Sequence, residues 1–303
     1  MQSNNEFHIA VMPGDGIGRE VTEAGIIVLE AARKRFGGFG LDYENLSAGA
    51  QAYRDTGVAL SDEVYERARA ADAILFGAMG LPDVRYPDGT EIAPQLDLRF
   101  RMALYAGVRP VRALPGGFQA LSDPRATEID LVLIRESTEG LFASRGKGAV
   151  EDDRVAQDTM VITRPICERL FDFSFRLAER RRAHGRPGKL TCVDKANVFT
   201  SMAFFRKVFD ERAKLFPAIE SGHHYVDAMA LDLVRKPWTF DVLVMENMFG
   251  DILSDLTAAL IGGMGMAPSA DIGDENALFQ PAHGSAPDIV GQGIANPIAM
   301  IQS

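Results

Sequence analysis

Apolar runs of strand length alternate along the chain with stretches whose apolar positions recur at helical spacing. The apolar runs predict buried strands at 7–12, 73–78, 108–112, 129–135, 189–194 and 240–245. The helical spacing predicts one helix over 20–35 and a longer one over 163–182. Strands that alternate with helices in this way are typical of the α/β fold class.

Two of the predicted helices carry end signals. Ser61 precedes two acidic residues, which predicts a helix with Ser61 as its N-cap. Thr163 is suited to cap the long helix, and the arginines at 180–182 suit its negative C-terminal end. The apolar face of this long helix indicates a place in the core or in a subunit interface.

A glycine-rich turn, PGDGIG, follows the first predicted strand at 13–18. Its glycines give the spacing G-x-G-x-G, whereas the dinucleotide-binding fingerprint is G-x-G-x-x-G. The turn therefore has two interpretations, a cofactor loop or a tight strand-to-helix turn that needs glycine for its backbone.

Asp251 and Asp255 lie four residues apart on a predicted helix and therefore share one face. Two adjacent carboxylates repel each other, and burial increases that cost. Without basic residues nearby, such a pair favours a bound cation, and all-oxygen ligands favour Mg²⁺ or Mn²⁺ over Zn²⁺. The alternative is a solvated helix face, which the apolar residues around the pair make less favourable.

Three arginines stand at or beside predicted strands. Arg99 and Arg109 bracket a helix-to-strand passage, and Arg135 ends the run IDLVLIR. Guanidinium groups match carboxylates in a two-pronged geometry, so the three together indicate a polycarboxylate pocket, although each alone could be a surface ion pair. Lys195 follows a predicted strand and is a candidate general base, with a plain surface lysine as the alternative.

Composition limits the classes of function. The 303 residues suffice for two domains of ~150 residues each. A formal net charge of −10 excludes binding of nucleic acid or an anionic membrane through the net field, and a small anion would need a local Arg/Lys cluster. Cys167 and Cys192 cannot build a disulfide framework, and no apolar run approaches the ~20 residues of a membrane span, so a cytoplasmic protein is expected. The final residues, 296–301, look like the start of a helix, which suggests a further C-terminal segment, truncated or disordered.

Six motifs occur in a fixed order: GDGIG, LYAGVRPV, VDKANV, YVDAMA, ENMFGDILSD and HGSAPDI. In this order they resemble the metal-dependent, NAD(P)-linked β-decarboxylating dehydrogenases, the isocitrate/isopropylmalate dehydrogenase family, which includes tartrate/D-malate dehydrogenases. The resemblance implies that family's two-domain α/β fold, which is not a Rossmann fold. It places a cofactor-side domain at 1–109 with 260–303, and a substrate, metal and dimer domain at 110–259.

The resemblance also implies roles for individual residues. Lys195 would remove the proton of the C2 hydroxyl, with Asp227 as a further catalytic residue and metal ligand beside Asp251 and Asp255. In the family, the lysine and the first aspartate come from the partner subunit, which implies a homodimer with shared active sites. The substrate, a hydroxy-dicarboxylate, would contact Arg99, Arg109, Arg135, Gln95 and Leu96. NAD would contact His283, Gly284, Ser285, Ala286, Pro287, Asp288 and Asn296.

Asp288 stands where NAD-using members accept hydrogen bonds from the ribose hydroxyls, which favours NAD over NADP because a carboxylate repels a 2′-phosphate.

Two positions depart from the family pattern. Phe142 stands where the family usually has a tyrosine that protonates the enol after CO₂ leaves, and phenylalanine has no proton to give. The substrate-selecting turn at 93–96 has neither the Ser-x-Asn pair of isocitrate enzymes nor a fully apolar patch. The expected reaction is therefore oxidation of a 3-substituted (2R)-malate such as 3-isopropylmalate. The alternatives are a tartrate/D-malate dehydrogenase and a non-catalytic regulatory paralogue.

Overall fold

The computed structural model describes residues 5–303 of the chain. The chain divides into two compact units. The terminal unit contains the chain up to Leu104 together with Met264–Ser303, and the central unit contains Tyr105–Gly263. The boundaries lie a few residues from the expected domain limits, whose cofactor and substrate roles stay predictions.

Twelve strands form within residues 5–303: β1 Asn5–Gly14, β2 Phe39–Asn45, β3 Ala73–Ala78, β4 Ala106–Arg112, β5 Asp130–Glu136, β6 Ala149–Glu151, β7 Val155–Gln157, β8 Lys189–Asp194, β9 Glu220–Tyr225, β10 Val242–Met245, β11 Pro268–Ile272 and β12 Ala277–Pro281. The same residues form nine α-helices: α1 Gly18–Phe36, α2 Ala50–Thr56, α3 Asp62–Ala70, α4 Pro94–Arg101, α5 Arg164–Ala183, α6 Thr200–Ala213, α7 Val226–Arg235, α8 Asn247–Leu260 and α9 Ile298–Gln302.

The terminal unit contains the strand order β2-β1-β3-β12-β11. The first four strands run parallel to their neighbours, and β11 pairs with β12 in the antiparallel direction. Strand β3 is buried almost throughout, because a parallel strand covered on both faces exposes neither side. Its Phe76 packs in a core with Met12, Leu98 and Leu104.

The central unit contains the strand order β4-β5-β10-β8-β9, in which only the β4–β5 pair is antiparallel. Helices α5 and α6 pack against each other through phenylalanines. The rings of Phe171 and Phe205 meet edge to face with centroids 4.7 Å apart, and Phe175 and Phe209 stack at 5.3 Å. Aromatic contacts of this geometry add stability beyond the apolar area that they bury.

The six strands predicted at sequence level are present, with ends that shift by up to two residues, and the α/β class is confirmed. Ser61 caps α3 as predicted, since its hydroxyl accepts from the Val64 amide at 3.2 Å. Thr163 does occupy the N-cap position of α5, but its hydroxyl donates to Glu139 at 2.5 Å instead of capping the helix. No amide of α5 donates to the Thr163 hydroxyl, so the prediction that this side chain caps the helix was wrong.

In the part of the chain from residue 5 onwards, no helix combines the length and apolar character needed to cross a membrane.

Candidate active site

Arg135 and the two α8 aspartates of the central unit lie near the carboxyl ends of β5 and β10. These strands run parallel, with Arg135 of β5 in register with Met245 of β10. Helix α8 starts two residues after Met245 and carries Asp251 and Asp255. The carboxyl edge of a parallel sheet is the usual place for ligand sites in α/β proteins.

Arg135 is buried and held from three sides. Its Nε donates to Asn247 Oδ1 at 2.9 Å, and a terminal nitrogen pairs with the Asp251 carboxylate. The guanidinium carbon lies 4.9 Å from the ring centroid of Phe142, which is cation–π distance. Gly250 makes this approach possible, because a Cβ there would lie 2.6 Å from the Arg135 Cβ.

The aspartate pair on α8 differs from its prediction in one respect. The expectation assumed no basic residue nearby, and that premise was wrong, because the fold brings Arg135 from β5 to Asp251. Burial, and after it the charge of Asp251, still raise the pKa of Asp255, while Arg109 and Arg135 lower it. Two carboxylates on successive helical turns remain an oxygen donor set that fits Mg²⁺ or Mn²⁺.

Lys195 and Asp227 form a separate pair in the central unit. The Lys195 Nζ lies 2.8 Å from Asp227 Oδ1, and the hydrogen bond from Lys195 lowers the pKa of Asp227. Within the described residues of this one chain, Asp227 does not join Asp251 and Asp255 in a metal-binding group of three. The shared ligand set of a dimer therefore stays a prediction.

The segment after β5 contains contacts that sequence reasoning missed. The Glu136 carboxylate accepts from Thr138 N and Oγ1 at 2.6 Å each and from Glu139 N at 2.7 Å. The Glu139 carbonyl in turn accepts from Asn247 Nδ2 at 3.0 Å. Burial raises the pKa of Glu136 to about 7. The only sequence signal for these hydrogen bonds was the cluster of polar residues after an apolar strand, and such a cluster does not reveal which residues bond to each other.

In the terminal unit, Arg99 of α4 is also buried and paired. Its Nε lies 2.9 Å from Asp271 Oδ2, which also accepts from Gln280 Nε2 at 2.8 Å. Gln95 and Leu96 lie in the first turn of the same helix. The Gln95 Oε1 is buried without a hydrogen-bond partner among residues 5–303, so it is available to a polar ligand group.

The loop predicted to hold adenosine lies against the glycine-rich turn. The Ile17 amide donates to the Ser285 carbonyl at 2.8 Å, and the Ser285 hydroxyl donates to the Gly80 carbonyl. Gly16 has a φ of +55°, and a Cβ there would overlap the Ser285 carbonyl. The turn therefore requires glycine for its backbone and for the close approach of this loop, and a role of the turn in cofactor binding stays a prediction.

The remaining predicted cofactor residues lie in this loop or after it in the chain. His283 bonds to the Gly284 carbonyl through Nδ1 at 2.9 Å, while its Nε2 is a buried atom lacking a partner in the described chain. Ala286 adopts a left-handed backbone with φ +36°, and Asp288 is exposed on the following 3₁₀ turn. Asn296 lies further along, where Asn296 Oδ1 accepts from the Ile298 amide at 3.1 Å. The roles of these residues toward a dinucleotide stay predictions.

Comparison with known proteins places the chain in a family. The chain matches the isocitrate/isopropylmalate dehydrogenase family profile over residues 8–303. It is 44% identical over 298 residues to the 3-isopropylmalate/3-methylmalate dehydrogenase of Methanocaldococcus jannaschii, which covers 97% of this chain and 83% of that protein. It is 42% identical to the 3-isopropylmalate dehydrogenase of Moorella thermoacetica, covering 98% and 83%.

Solved structures agree with the sequence comparison. The crystal structure of isocitrate dehydrogenase from Methylococcus capsulatus matches with a TM-score of 0.85 at 39% identity, covering 97% of this chain and 83% of that one. A β-decarboxylating dehydrogenase from Thermococcus kodakarensis matches with a TM-score of 0.78 at 36% identity, covering 97% and 80%.

These findings define a dehydrogenase, an oxidoreductase that acts on a CH–OH group and decarboxylates a hydroxy acid. The chain belongs to the isocitrate/isopropylmalate dehydrogenase family and has its fold. Members of this family generally use NAD and a divalent metal, and they are typically dimeric.

Proposed function

We propose that the protein catalyses the NAD-dependent oxidative decarboxylation of a 3-substituted (2R)-malate such as 3-isopropylmalate, with Mg²⁺ or Mn²⁺ as the metal. The observation that carries the proposal is its 40–44% identity to eight proteins whose names specify 3-isopropylmalate. The paired arginines and aspartates of the central unit supply the chemistry that such a substrate requires.

Lys195 is the proposed base for the C2 hydroxyl proton. The Lys195 side chain is partly buried, and its Nζ lies 2.8 Å from Asp227 Oδ1, so this contact directs the amine. A base must lie within hydrogen-bond reach of the proton that it removes, and a fixed direction shortens the search for that geometry. Asp227 therefore positions Lys195 in addition to its proposed role as a metal ligand.

Arg109 and Arg135 in the central unit, and Arg99 in the terminal unit, are the proposed carboxylate ligands. All three side chains are buried, which strengthens their attraction for an anion because less water screens it. Arg135 keeps a fixed orientation through Asn247 and Phe142. Gln95 and Leu96 are the proposed contacts to the substituent at C3.

A divalent cation held by Asp251 and Asp255, with Asp227 of a second subunit, would act as a Lewis acid on the oxygen that becomes the ketone. The loop 283–288 and Asn296 are proposed to hold NAD, the hydride acceptor. The exposed carboxylate of Asp288 favours NAD over NADP, because a 2′-phosphate would be repelled there.

A substrate panel tests the proposal. Purified protein is mixed with NAD⁺ and Mn²⁺, and NADH is followed by absorbance with 3-isopropylmalate, D-malate, tartrate or isocitrate. We expect the fastest reduction with 3-isopropylmalate and none without metal. The Asp251→Asn variant should lose Mn²⁺-dependent turnover by at least ~100-fold, since even changes behind metal ligands cost 10–100-fold. Full activity of this variant would refute the metal assignment.

The turn at 93–96 favours a second candidate, a tartrate/D-malate dehydrogenase, because the turn offers no fully apolar patch for an isopropyl group, whereas Phe142 is the reason to consider a regulatory paralogue. Faster turnover of tartrate or D-malate in the same panel would establish it. NADH from none of the four substrates would favour the regulatory paralogue.

A further inference from the structure

A cavity of about 350 Å³ lies in the central unit, and none of the candidate active-site residues lines it. It is formed where β4 ends, β5 begins and α5 ends. The charged and titratable side chains along its wall are Arg112, Asp130, Arg180, Arg181, His184 and Arg186.

The wall of this cavity carries more positive than negative charge. Asp130 is the one carboxylate among its lining residues, and three arginines share it. Arg112 Nε lies 3.8 Å from Asp130 Oδ2, Arg181 reaches Oδ1 at 2.9 Å, and Arg186 pairs with Oδ2. No ion pair engages Arg180 within the described part of the chain. The four arginines of the wall face Asp130 and, through Arg181, Asp241. The two carboxylates neutralise two of the four positive charges, so about two positive charges stay uncompensated.

Structural roles account for Arg181 and Arg180. Arg181 is mostly buried, and it ties α5 to the sheet through Asp241 Oδ1 at 2.5 Å and the Asp130 carbonyl at 2.7 Å. The positive C-terminal turn of α5 also complements the helix dipole. By contrast, the side chains of Arg112 and Arg186 are 67% and 42% exposed, so neither is needed to hold the fold together.

The cavity lies at the opposite end of β5 from the candidate active site. Arg112 is in register with Asp130 at the start of β5, while Arg135 stands near its end. Five residue steps along an extended strand place Asp130 about 17 Å from Arg135, at ~3.4 Å per step. A binding site in this cavity is therefore separate from a substrate site at Arg135.

We infer that this cavity binds a small anion with at least two negative charges, built on phosphate or carboxylate groups. The planar guanidinium group of arginine binds phosphate and carboxylate groups through two parallel hydrogen bonds. Several arginines around one carboxylate repel one another, and a bound anion would reduce this repulsion. The protein as a whole carries a net charge of −10, so general attraction for anions does not explain such binding.

Isothermal titration calorimetry of the full chain at low ionic strength tests the inference. Inorganic pyrophosphate and citrate are titrated separately, and potassium chloride at matched ionic strength is the reference. We expect one of the two anions to bind, and which one binds decides between phosphate and carboxylate chemistry. The double variant R112Q/R186Q should weaken that binding by about tenfold or more, because charged hydrogen bonds are lost.

Two further variants keep the result interpretable. Arg180→Gln leaves the Asp130 ion pairs intact, so it should fold normally and still weaken binding. Arg176→Gln, an exposed arginine on α5 outside the cavity wall, should leave binding unchanged.

The Arg135→Gln variant separates this cavity from the proposed substrate site, since binding should survive in it. Loss of binding in Arg135→Gln together with its survival in R112Q/R186Q would overturn the inference. So would heats for both anions no larger than those of the chloride reference. None of these outcomes depends on the substrate panel.

Discussion

Arg135 shows how neighbouring residues set the direction of one functional side chain. Asn247 accepts from its Nε, Asp251 pairs with a terminal nitrogen, and the Phe142 ring lies beside the guanidinium. Asn247 also donates to the Glu139 carbonyl, so it links the arginine to the segment after β5. Asn247 is therefore a positioning residue for the proposed carboxylate contact.

The Asn247→Leu variant removes this link with little change in volume. We expect KM for the substrate to rise about tenfold with a smaller change in kcat, because a contact made equally in ground and transition states is lost. Asn247→Asp keeps the acceptor and should recover part of the loss. Steady-state kinetics of both variants check this, and a lower melting temperature with unchanged KM would indicate a purely structural role.

Phe142 offers a gain-of-function test. Phe142→Tyr would place a phenol beside Arg135, where the family usually has its acid. If protonation of the enol limits turnover, kcat should rise, and a positioned acid contributes ~10²–10⁴-fold. The rate of CO₂ release and its solvent isotope effect measure this. Unchanged rates with every substrate would mean that the missing acid is not limiting.

Glu136 predicts a dependence of stability on pH. Burial raises its pKa from 4.5 to about 7, so between these values the folded protein keeps a proton that the unfolded chain has lost. Its stabilising contribution is therefore complete below pH 4.5 and is lost as the pH rises through 7, a change of about 3 kcal/mol.

The Glu136→Gln variant cannot titrate, which makes it the reference for this effect. From pH 5 to pH 8, the wild-type protein should lose up to about 3 kcal/mol of unfolding free energy relative to the variant. Urea unfolding at several pH values measures the difference. Parallel curves for the two proteins would contradict the assignment.

At the level of elements, the strand-to-helix turn at 13–18 and the loop 283–288 form one assembly in the terminal unit. The Ile17 amide and the Gly80 carbonyl both bond to Ser285, and Gly16 leaves the space that the loop occupies. Residues far apart in the chain thus build the proposed cofactor loop, because β1, β3 and β12 are neighbours in the sheet.

The Gly16→Ala variant tests this packing, with Gly57→Ala as the matched control. Both glycines have positive φ, +55° and +78°, but a Cβ at Gly57, whose backbone is left-handed, meets nothing within 4 Å. Gly57→Ala should cost ~1–2 kcal/mol for backbone strain alone, and Gly16→Ala should cost clearly more. Chemical denaturation compares them, and equal losses would show that Ser285 can move aside.

At the scale of the whole molecule, Asp227 forms no metal-binding group with the α8 aspartates of the same chain within the described residues, as expected if active sites are shared between two protomers. Because Lys195 and Asp227 are bonded to each other, they would enter a partner's active site together. A homodimer would then contain two composite sites, each with the α8 carboxylates of one protomer and the lysine–aspartate pair of the other.

Complementation of inactive variants tests this sharing. Lys195→Met and Asp251→Asn, each inactive alone, are co-expressed with different affinity tags, and the doubly tagged heterodimer is purified. One of its two sites would then be fully wild type, so about half of the wild-type activity should return. A heterodimer as inactive as its parents would show that each site is built within one chain.

Local patterns in the chain sufficed for much of the fold. Apolar runs identified the six strands, and Ser61 identified a helix start, because burial and capping depend on residues close in sequence. The spacing of Asp251 and Asp255 likewise placed both on one face of α8, since helical geometry is local. The ordered motifs further identified the family.

Partners that come from distant segments were decided only by the folded chain. The pairing of Arg135 with Asp251, the Arg99–Asp271 pair and the bond from Thr163 to Glu139 all join separate elements. Such contacts depend on strand order and helix packing, which bring together residues more than a hundred positions apart in the case of Arg135. The physical reason is that the attraction between two charges depends on their distance in space and not on their separation along the chain.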